Sequence, residues 1–327
     1  MKLGIVGNGG IVVAALESIK GTDIEATALW CRNKDKGMPL CEKYAIKTIY
    51  TDYDAFLKDE SFDMVYIGLI NSLHYEYTKK ALEAGRNVIC EKPFTSTYKE
   101  AEELVRLAKE KGVYLFEAIM SRYSANYKQI KDHLDHLGEL RLVQCNYSQY
   151  SRRYSSYKQG TVLPAFDPNL SGGALYDINV YNIHFTEGLF GKPEEVRYYA
   201  NKGFNGIDTS GILVMKYPGF LATCSGAKDS ASVNGMMIQG DGGYIHVNSR
   251  PGMIRNITLY ANNAEPQKLD IADDPNPMQT EFVTIAKVIS EGNKEQMYKW
   301  LEDTLTVMEI LQKARNDAGI CFLSDNS

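Results

Sequence analysis

Between residues 1 and 119 the chain alternates short apolar runs with amphipathic stretches, and few architectures accept that pattern. Leu3-Gly4-Ile5-Val6, Glu25 to Trp30, Asp63 to Gly68, Val88-Ile89-Cys90 and Val113 to Phe116 read as strands. Helical segments lie between them. One runs to about Ile19. Another spans Leu73 to Ala84, capped by Asn71-Ser72 and ended by Gly85. A third opens on the capping box Thr97-Tyr98-Lys99-Glu100, carries apolar Ala101, Leu104, Val105 and Ala108, and closes at Gly112. Strands separated by helices predict a parallel, doubly wound sheet, because a parallel neighbour needs a long crossover.

The first strand runs into Gly7-Asn8-Gly9-Gly10-Ile11-Val12 and then a helix. That order matches the dinucleotide fingerprint. A first glycine makes the tight turn, a second admits the pyrophosphate, and the helix N-terminus supplies N–H groups and partial positive charge. Val12 stands where a third glycine or an alanine is usual, so a larger residue must fit between helix and strand. After the second strand comes Cys31-Arg32-Asn33, with no acid before Asp35. An acid there would bind the ribose 2′-hydroxyl of NAD. Arg32 instead suits a 2′-phosphate, so the cofactor expected is NADP, with NAD as the alternative.

The fourth strand ends in Glu91-Lys92-Pro93-Phe94. Proline has no N–H for a ladder, so the strand stops and Lys92 is left at the carboxyl edge of the sheet. In open parallel sheets ligands bind at that edge. Lys92 is therefore the candidate catalytic lysine, against the plainer reading of a surface Glu91–Lys92 pair. His74, in the first turn of its helix, is a candidate contact for the nicotinamide ribose or a simple cap.

After Glu117 the pattern changes. Ser121 to Leu137 reads as an amphipathic helix. Strands then dominate: Arg141 to Tyr150, Val196 to Asn201, Gly211 to Tyr217, Phe220 to Ala227, Asn234 to Gln239, Tyr244 to Val247 and Ile257 to Ala261. Without helices between most of them, they predict one large, mostly antiparallel open sheet. Helices return at Pro277 to Ser290 and Glu295 to Asp317. Several strands are apolar on both alternating faces. One face should cover a helix near residue 180, and the other suits an oligomer interface. The division expected is an NAD(P)-binding domain over 1–119 and a substrate-binding and oligomerisation α+β domain over 120–327.

Ser171-Gly172-Gly173-Ala174-Leu175-Tyr176-Asp177-Ile178-Asn179-Val180-Tyr181-Asn182-Ile183-His184 holds the other candidate groups. Glycines allow close backbone approach at a helix start, and Asp177 and Tyr181 share one helical face, with His184 near the same stripe. Tyr147, Tyr150, Arg152, Arg153, Tyr154 and Tyr157 interleave aromatic and basic residues. With 36 Lys and Arg against 41 Asp and Glu, a net charge of −5, single-strand nucleic acid is a poor partner for that stretch. A substrate-side loop, with Tyr150 and Arg153 toward a sugar, or a mobile surface loop, suits it better. His133 and His136 read as a solvated face, so no metal is expected. Six scattered cysteines without C-x-x-C, no signal peptide and no membrane-length apolar run point to a cytoplasmic protein.

Taken in order, the glycine turn, Asn71-Ser72-Leu73-His74, Glu91-Lys92-Pro93, Glu117-Ala118 with Arg122, and Gly172-Gly173-Ala174-Leu175-x-Asp177-Ile178-x-x-Tyr181 resemble the Gfo/Idh/MocA oxidoreductase family over essentially the whole chain. The resemblance implies a Rossmann domain for NAD(P) and a C-terminal sheet domain for a sugar, polyol or diol. It also implies a homodimer or homotetramer through that sheet, and a commonly cis Pro93. Many members carry histidine where this chain has Tyr181. The tyrosine is similar to that of the dihydrodiol dehydrogenase and glucose–fructose oxidoreductase branch rather than of inositol dehydrogenases. The residue readings and the resemblance together make Gly7, Asn8, Gly9, Gly10, Ile11, Arg32, Asn71, His74, Glu91 and Lys92 the cofactor candidates. They make Lys92, Arg122, Tyr150, Arg153, Asp177, Tyr181 and His184 the substrate candidates. Lys92, Asp177 and Tyr181 are the catalytic set: Tyr181 exchanges the hydroxyl proton, Lys92 polarises the oxygen and tunes Tyr181, and Asp177 orients. Lys92 as the base is the open alternative. Lys92 and Tyr181, far apart in sequence, should then face one cleft. A cofactor-bound regulatory protein and an NAD-dependent glycosidase are the competing functions.

Overall fold

A computed structural model of the chain describes residues 1–271 and 274–326. β1 (Lys2–Val6), α1 (Gly10–Ser18) and β2 (Glu25–Trp30) come first, then α2 (Lys34–Tyr44), β3 (Thr48–Tyr50), α3 (Tyr53–Leu57) and β4 (Met64–Ile67). They are followed by α4 (His74–Glu83), β5 (Asn87–Glu91), α5 (Tyr98–Lys111) and β6 (Leu115–Ala118). Next come α6 (Ala125–Asp132), β7 (Leu140–Ser148), α7 (Tyr154–Lys158) and α8 (Val180–Phe190). β8 (Glu195–Lys202), β9 (Asp208–Tyr217), β10 (Phe220–Ala227), β11 (Gly235–Gly240), β12 (Gly243–Val247), β13 (Ile257–Ala261) and β14 (Gln267–Lys268) follow. α9 (Pro277–Ser290) and α10 (Lys294–Asp317) come last.

The chain divides into two compact units. The first is Met1–Ala118 with Met278–Leu305, and the second is Ile119–Pro277 with the residues from Thr306 on. A second domain running unbroken from 120 therefore loses residues 278–305 to the first unit. Apolar packing is the reason. Phe282 of α9 lies with its ring 5.4 Å from that of Tyr66, and Trp300 of α10 lies 6.3 Å from Phe116. Thr304 donates to the buried Glu117 carboxylate at 2.7 Å.

In the first unit six parallel strands take the order β3-β2-β1-β4-β5-β6. All four residues of β4 are buried, as a strand with helices on both faces should be. The capping box at Thr97 forms as expected, with the Glu100 carboxylate accepting from the Thr97 N–H at 2.9 Å and the Thr97 hydroxyl accepting from the Glu100 N–H at 3.3 Å. The expected cap at Asn71-Ser72 does not. Those residues form a 3₁₀ turn, and α4 starts at His74 behind Leu73, which has no polar group to cap with.

In the second unit eight strands take the order β14-β13-β12-β11-β7-β10-β9-β8. Pairing is antiparallel except between β7 and β10, which run parallel with Cys145 opposite Cys224. The long connection from β7 through α8, β8 and β9 gives the chain the length to return in the same direction. α8 lies against the inner face. Thr186 hydroxyl sits 3.5 Å from both Cys145 and Cys224, and Asn179 and Asn182 donate to the Cys224 and Ser225 carbonyls at 2.9 Å. On the outer face Leu142, Ile212 and Leu221 are each over 40% exposed. The single helix expected over Ser121 to Leu137 is broken into a 3₁₀ turn, α6 and a second 3₁₀ turn.

Candidate active site

Each unit carries one set of candidate groups. In the first, three neighbouring strands end side by side. Val6 of β1 pairs with Ile67 of β4, which pairs with Cys90 of β5, so Gly7, Gly68 and Glu91-Lys92 follow one another along the carboxyl edge. Between β1 and β4 the strand order reverses, which is where such sheets bind ligands. Gly7 has φ +112°, and a Cβ there would lie 2.6 Å from the Gly68 carbonyl, so only glycine makes this turn.

The turn fits a dinucleotide pyrophosphate. Gly9 and Gly10 are exposed, and a Cβ at either would meet nothing within 4 Å, so the bare backbone faces open space. No side chain caps α1 and no acid lies in its first turn, which leaves its leading N–H groups for an anion. Val12 is fully buried, and its room comes from Gly68, where a Cβ would stand 2.8 Å from Val12 Cγ2. The glycine missing from the fingerprint is thus supplied by the end of β4. Asn8 is exposed and Ile11 half-buried beside it; Arg32 is exposed just beyond β2.

His74 is 1% exposed, with Nδ1 2.8 Å from the Pro93 carbonyl and Nε2 3.2 Å from the Leu69 carbonyl. Burial lowers its pKa against the pull of those two carbonyls. A neutral ring donates through one nitrogen, and the shorter contact assigns that role to Nδ1. The ring ties the turn after β4 to the turn after β5, and so fixes the backbone that carries Lys92. The Lys92–Pro93 peptide is cis. Glu91 is buried and accepts from the Tyr66 hydroxyl at 2.7 Å. Burial pushes its carboxyl up to about 7, opposed by that hydroxyl and by the Lys92 ammonium. Lys92 and Asn71 are half-buried.

In the second unit the glycine stretch does what the sequence asks of it. A Cβ on Gly172 would lie 2.6 Å from the Pro164 carbonyl, and Gly173 has φ +102°. The buried Asp208 carboxylate accepts from the Leu175 N–H at 2.6 Å and the Tyr198 hydroxyl at 2.8 Å, which anchors the helix start. A π-helical turn over Leu175–Asn179 leads into α8. Such wide turns are frequent at functional sites. Asp177 and Tyr181 are half-buried, four residues apart across the junction, and His184 is 5% exposed. The Tyr181 ring lies edge-on to Tyr147, with centroids 5.9 Å apart. Arg122 is half-buried in the 3₁₀ turn before α6.

One ion pair has no signal in the sequence. Lys228, just after β10 and 2% exposed, reaches Asp177 Oδ2 at 2.7 Å. Its neighbours Asp229 and Ser230 give it the look of a surface turn. The aromatic loop is more self-packed than expected. Tyr157 is buried with its ring 4.9 Å from Phe166 and 4.5 Å from Phe204, so it cannot stack on a sugar. Tyr150 and Arg153 remain exposed. Among the described residues no cluster of metal-ligating side chains occurs, and no helix is long and apolar enough to cross a membrane.

Residues 1–119 match the family model for an oxidoreductase family with an NAD-binding Rossmann fold, Gfo/Idh/MocA, and residues 127–246 match the Gfo/Idh/MocA C-terminal domain. A scyllo-inositol 2-dehydrogenase (NADP(+)) of Bacillus subtilis is 32% identical over 330 residues, with all of both chains covered. The human trans-1,2-dihydrobenzene-1,2-diol dehydrogenase is 25% identical, with 99% of each covered. Among solved structures, a 3-ketoreductase from Actinomadura kijaniata, in complex with NADP and TDP-benzene, superposes with a TM-score of 0.83 at 23% identity over 97% of each chain.

Proposed function

The chain belongs to the Gfo/Idh/MocA oxidoreductase family and is an NAD(P)-dependent oxidoreductase of CH–OH groups; from that premise we propose that it oxidises a sugar, polyol or diol whose reacting carbon has a vicinal hydroxyl in trans, with NADP. The observation that carries the reading is Asp177 and Tyr181, two half-buried side chains on consecutive turns of one largely buried helical stretch. Two relatives support the substrate class. scyllo-Inositol and trans-1,2-dihydrobenzene-1,2-diol both present trans vicinal hydroxyls on a six-membered ring. A cyclitol therefore joins the diols that Tyr181 suggests. Arg32, exposed beyond β2 with no acid in its place, supports NADP.

When bound, the dinucleotide supplies the hydride acceptor. The backbone of Gly7 to Ile11 would hold its pyrophosphate, and Arg32 its 2′-phosphate. Asn71 and the Glu91-Lys92 turn would hold the nicotinamide end. The rest is proton handling. Free lysine and tyrosine both titrate near pH ~10. An ammonium beside a phenol favours the phenolate, which is the role this reading gives Lys92 toward Tyr181. Tyr181 takes the hydroxyl proton, Lys92 polarises the substrate oxygen, and Asp177 accepts a hydrogen bond from the vicinal hydroxyl. Arg122 and Tyr150 complete the substrate's polar contacts. A second copy of the chain covers the outer sheet face around Leu142, Ile212 and Leu221.

A panel of cyclitols, trans diols and aldoses, assayed for dinucleotide reduction with NADP and NAD separately, tests this. Turnover of a ring diol with NADP is expected. Lys92→Met and Tyr181→Phe should each lower kcat by about 10²–10⁴-fold, the range for lost acid–base catalysis. Near-native turnover by Lys92→Met overturns the assignment. Product formation without any change in dinucleotide absorbance points to a cofactor-recycling glycosidase instead.

A further inference from the structure

Lys228 is a buried lysine whose partners all belong to the substrate half of the chain. Its backbone is fixed on both sides: its N–H donates to the Thr209 carbonyl at 2.8 Å, and its carbonyl accepts from Ser151 at 2.9 Å. The side chain is 3% exposed. Its ammonium donates to the Ala165 carbonyl at 2.5 Å, sits 4.5 Å from the centre of the fully buried Phe166 ring, and meets Asp177 Oδ2 at 2.7 Å. The Ala165 carbonyl also accepts from the Gly173 N–H at 3.1 Å, and Gly173 in turn accepts from the Asp177 N–H at 3.1 Å. The loop carbonyl, the glycine turn and the carboxylate that follows are therefore tied to one cation.

We propose that Lys228 is a positioning residue for the oxidation: it clamps the Asp177 carboxylate in the orientation that receives the substrate's vicinal hydroxyl. This rests on the reading of Asp177 as a substrate contact. A carboxylate on a solvated helix samples several rotamers, and a group held by an enclosed, singly oriented partner does not. Lysine is normally a mobile partner, but here the stem is enclosed and the head is fixed by a carbonyl and a ring face. The Asp177 side chain stays 34% exposed, so the pair leaves it reachable from solvent. Pairing also neutralises it, so the site does not oppose the negative charge that develops as a hydroxyl loses its proton. Lys228 itself, at 3%, is too enclosed to reach a substrate directly and acts through Asp177.

The test is a double-mutant cycle of Asp177→Asn and Lys228→Met, read with the best substrate of the panel. Lys228→Met should lower kcat about 30-fold or more, while NADPH affinity by fluorescence stays within about twofold. In the Asp177→Asn background, adding Lys228→Met should cost less than about threefold further, because the lysine has nothing left to orient. The melting temperature should fall with Asp177→Asn, which strands a buried cation, and recover in the double variant. Should Lys228→Met not fold, Lys228→Gln keeps a donor for Ala165 without the charge and takes its place. Additive losses in the cycle, or single-variant turnover within threefold of wild type, overturn the assignment of Lys228 alone. A wild-type protein that turns over no member of the panel overturns that assignment and the proposed function together.

Discussion

Arg32 and Glu91 show how one side chain's surroundings set what it can do. Arg32 is exposed beyond β2, with Asn33 beside it used as the cap of α2, accepting from the Lys36 N–H at 3.1 Å. That leaves the guanidinium as the first long polar side chain after the strand. Arg32→Ala should lower kcat/KM with NADP about 10–100-fold, the loss of a charge-assisted hydrogen bond, and leave the value with NAD within about threefold. Equal losses with both dinucleotides, in parallel steady-state assays, count against a 2′-phosphate contact. Glu91 is the reverse case, a carboxyl buried against Tyr66 of the neighbouring strand. Its folded pKa of about 7 lies above the ordinary 4.5. The folded state binds this proton more tightly than the unfolded one, so the stability it contributes is full below about pH 4.5 and is lost as pH rises toward 7. Glu91→Gln stays neutral throughout. Its melting temperature relative to wild type should therefore climb between pH 4.5 and 7 in scanning fluorimetry, and a flat difference contradicts a buried, protonated carboxyl.

Among the elements, the contact of α1 with the end of β4 carries the most information. Val12 breaks the usual fingerprint, and the space it takes is matched by Gly68. Gly68→Ala would drive a methyl to 2.8 Å from Val12 Cγ2, with Tyr66 and Ile11 at 3.1 and 3.2 Å. Overpacking of this kind costs about 1–3 kcal/mol. Val12→Gly in the same chain should recover part of that loss, so a urea denaturation cycle should show positive coupling. Independent, additive losses would mean that the two positions do not share this space. The start of α8 follows a similar rule. Gly226 lies under the π-helical turn, where a Cβ would meet Asn179 Cβ at 2.7 Å, and Asn179 donates to the Cys224 carbonyl of the same strand. Small residues on the sheet and amides on the helix set how closely the Asp177-bearing turn can sit.

At the scale of the molecule, the second unit's sheet is covered on one face and open on the other. Leu221 faces outward opposite Leu142 on the neighbouring parallel strand, and both are over 40% exposed. The proposed second copy of the chain would cover this face. Leu221→Glu should reduce the mass by light scattering to that of one chain, with the circular dichroism spectrum unchanged. An unchanged mass removes the sheet face as the interface. How far the molecule can be read from its sequence follows from the range of the forces involved. Strand and helix alternation, the glycine turn, the Thr97 capping box and the strand end at Pro93 are local, so the chain states them outright. Their bounds agree with the structure to within a few residues, and β2, β10 and β13 agree fully. The cap at Asn71-Ser72 failed because a 3₁₀ turn competes for the same residues, a choice made by packing rather than propensity. The parallel β7–β10 pair, the transfer of 278–305 to the first unit, the Gly68 space for Val12 and the burial of Lys228 against Asp177 join residues remote in sequence. By itself the sequence determined the family and the two sheets, and it singled out Lys92, Asp177 and Tyr181 as candidates. Only the tertiary structure decided which buried partners hold Asp177 and the Lys92 turn in place, because desolvation and close packing exist only once distant segments have met.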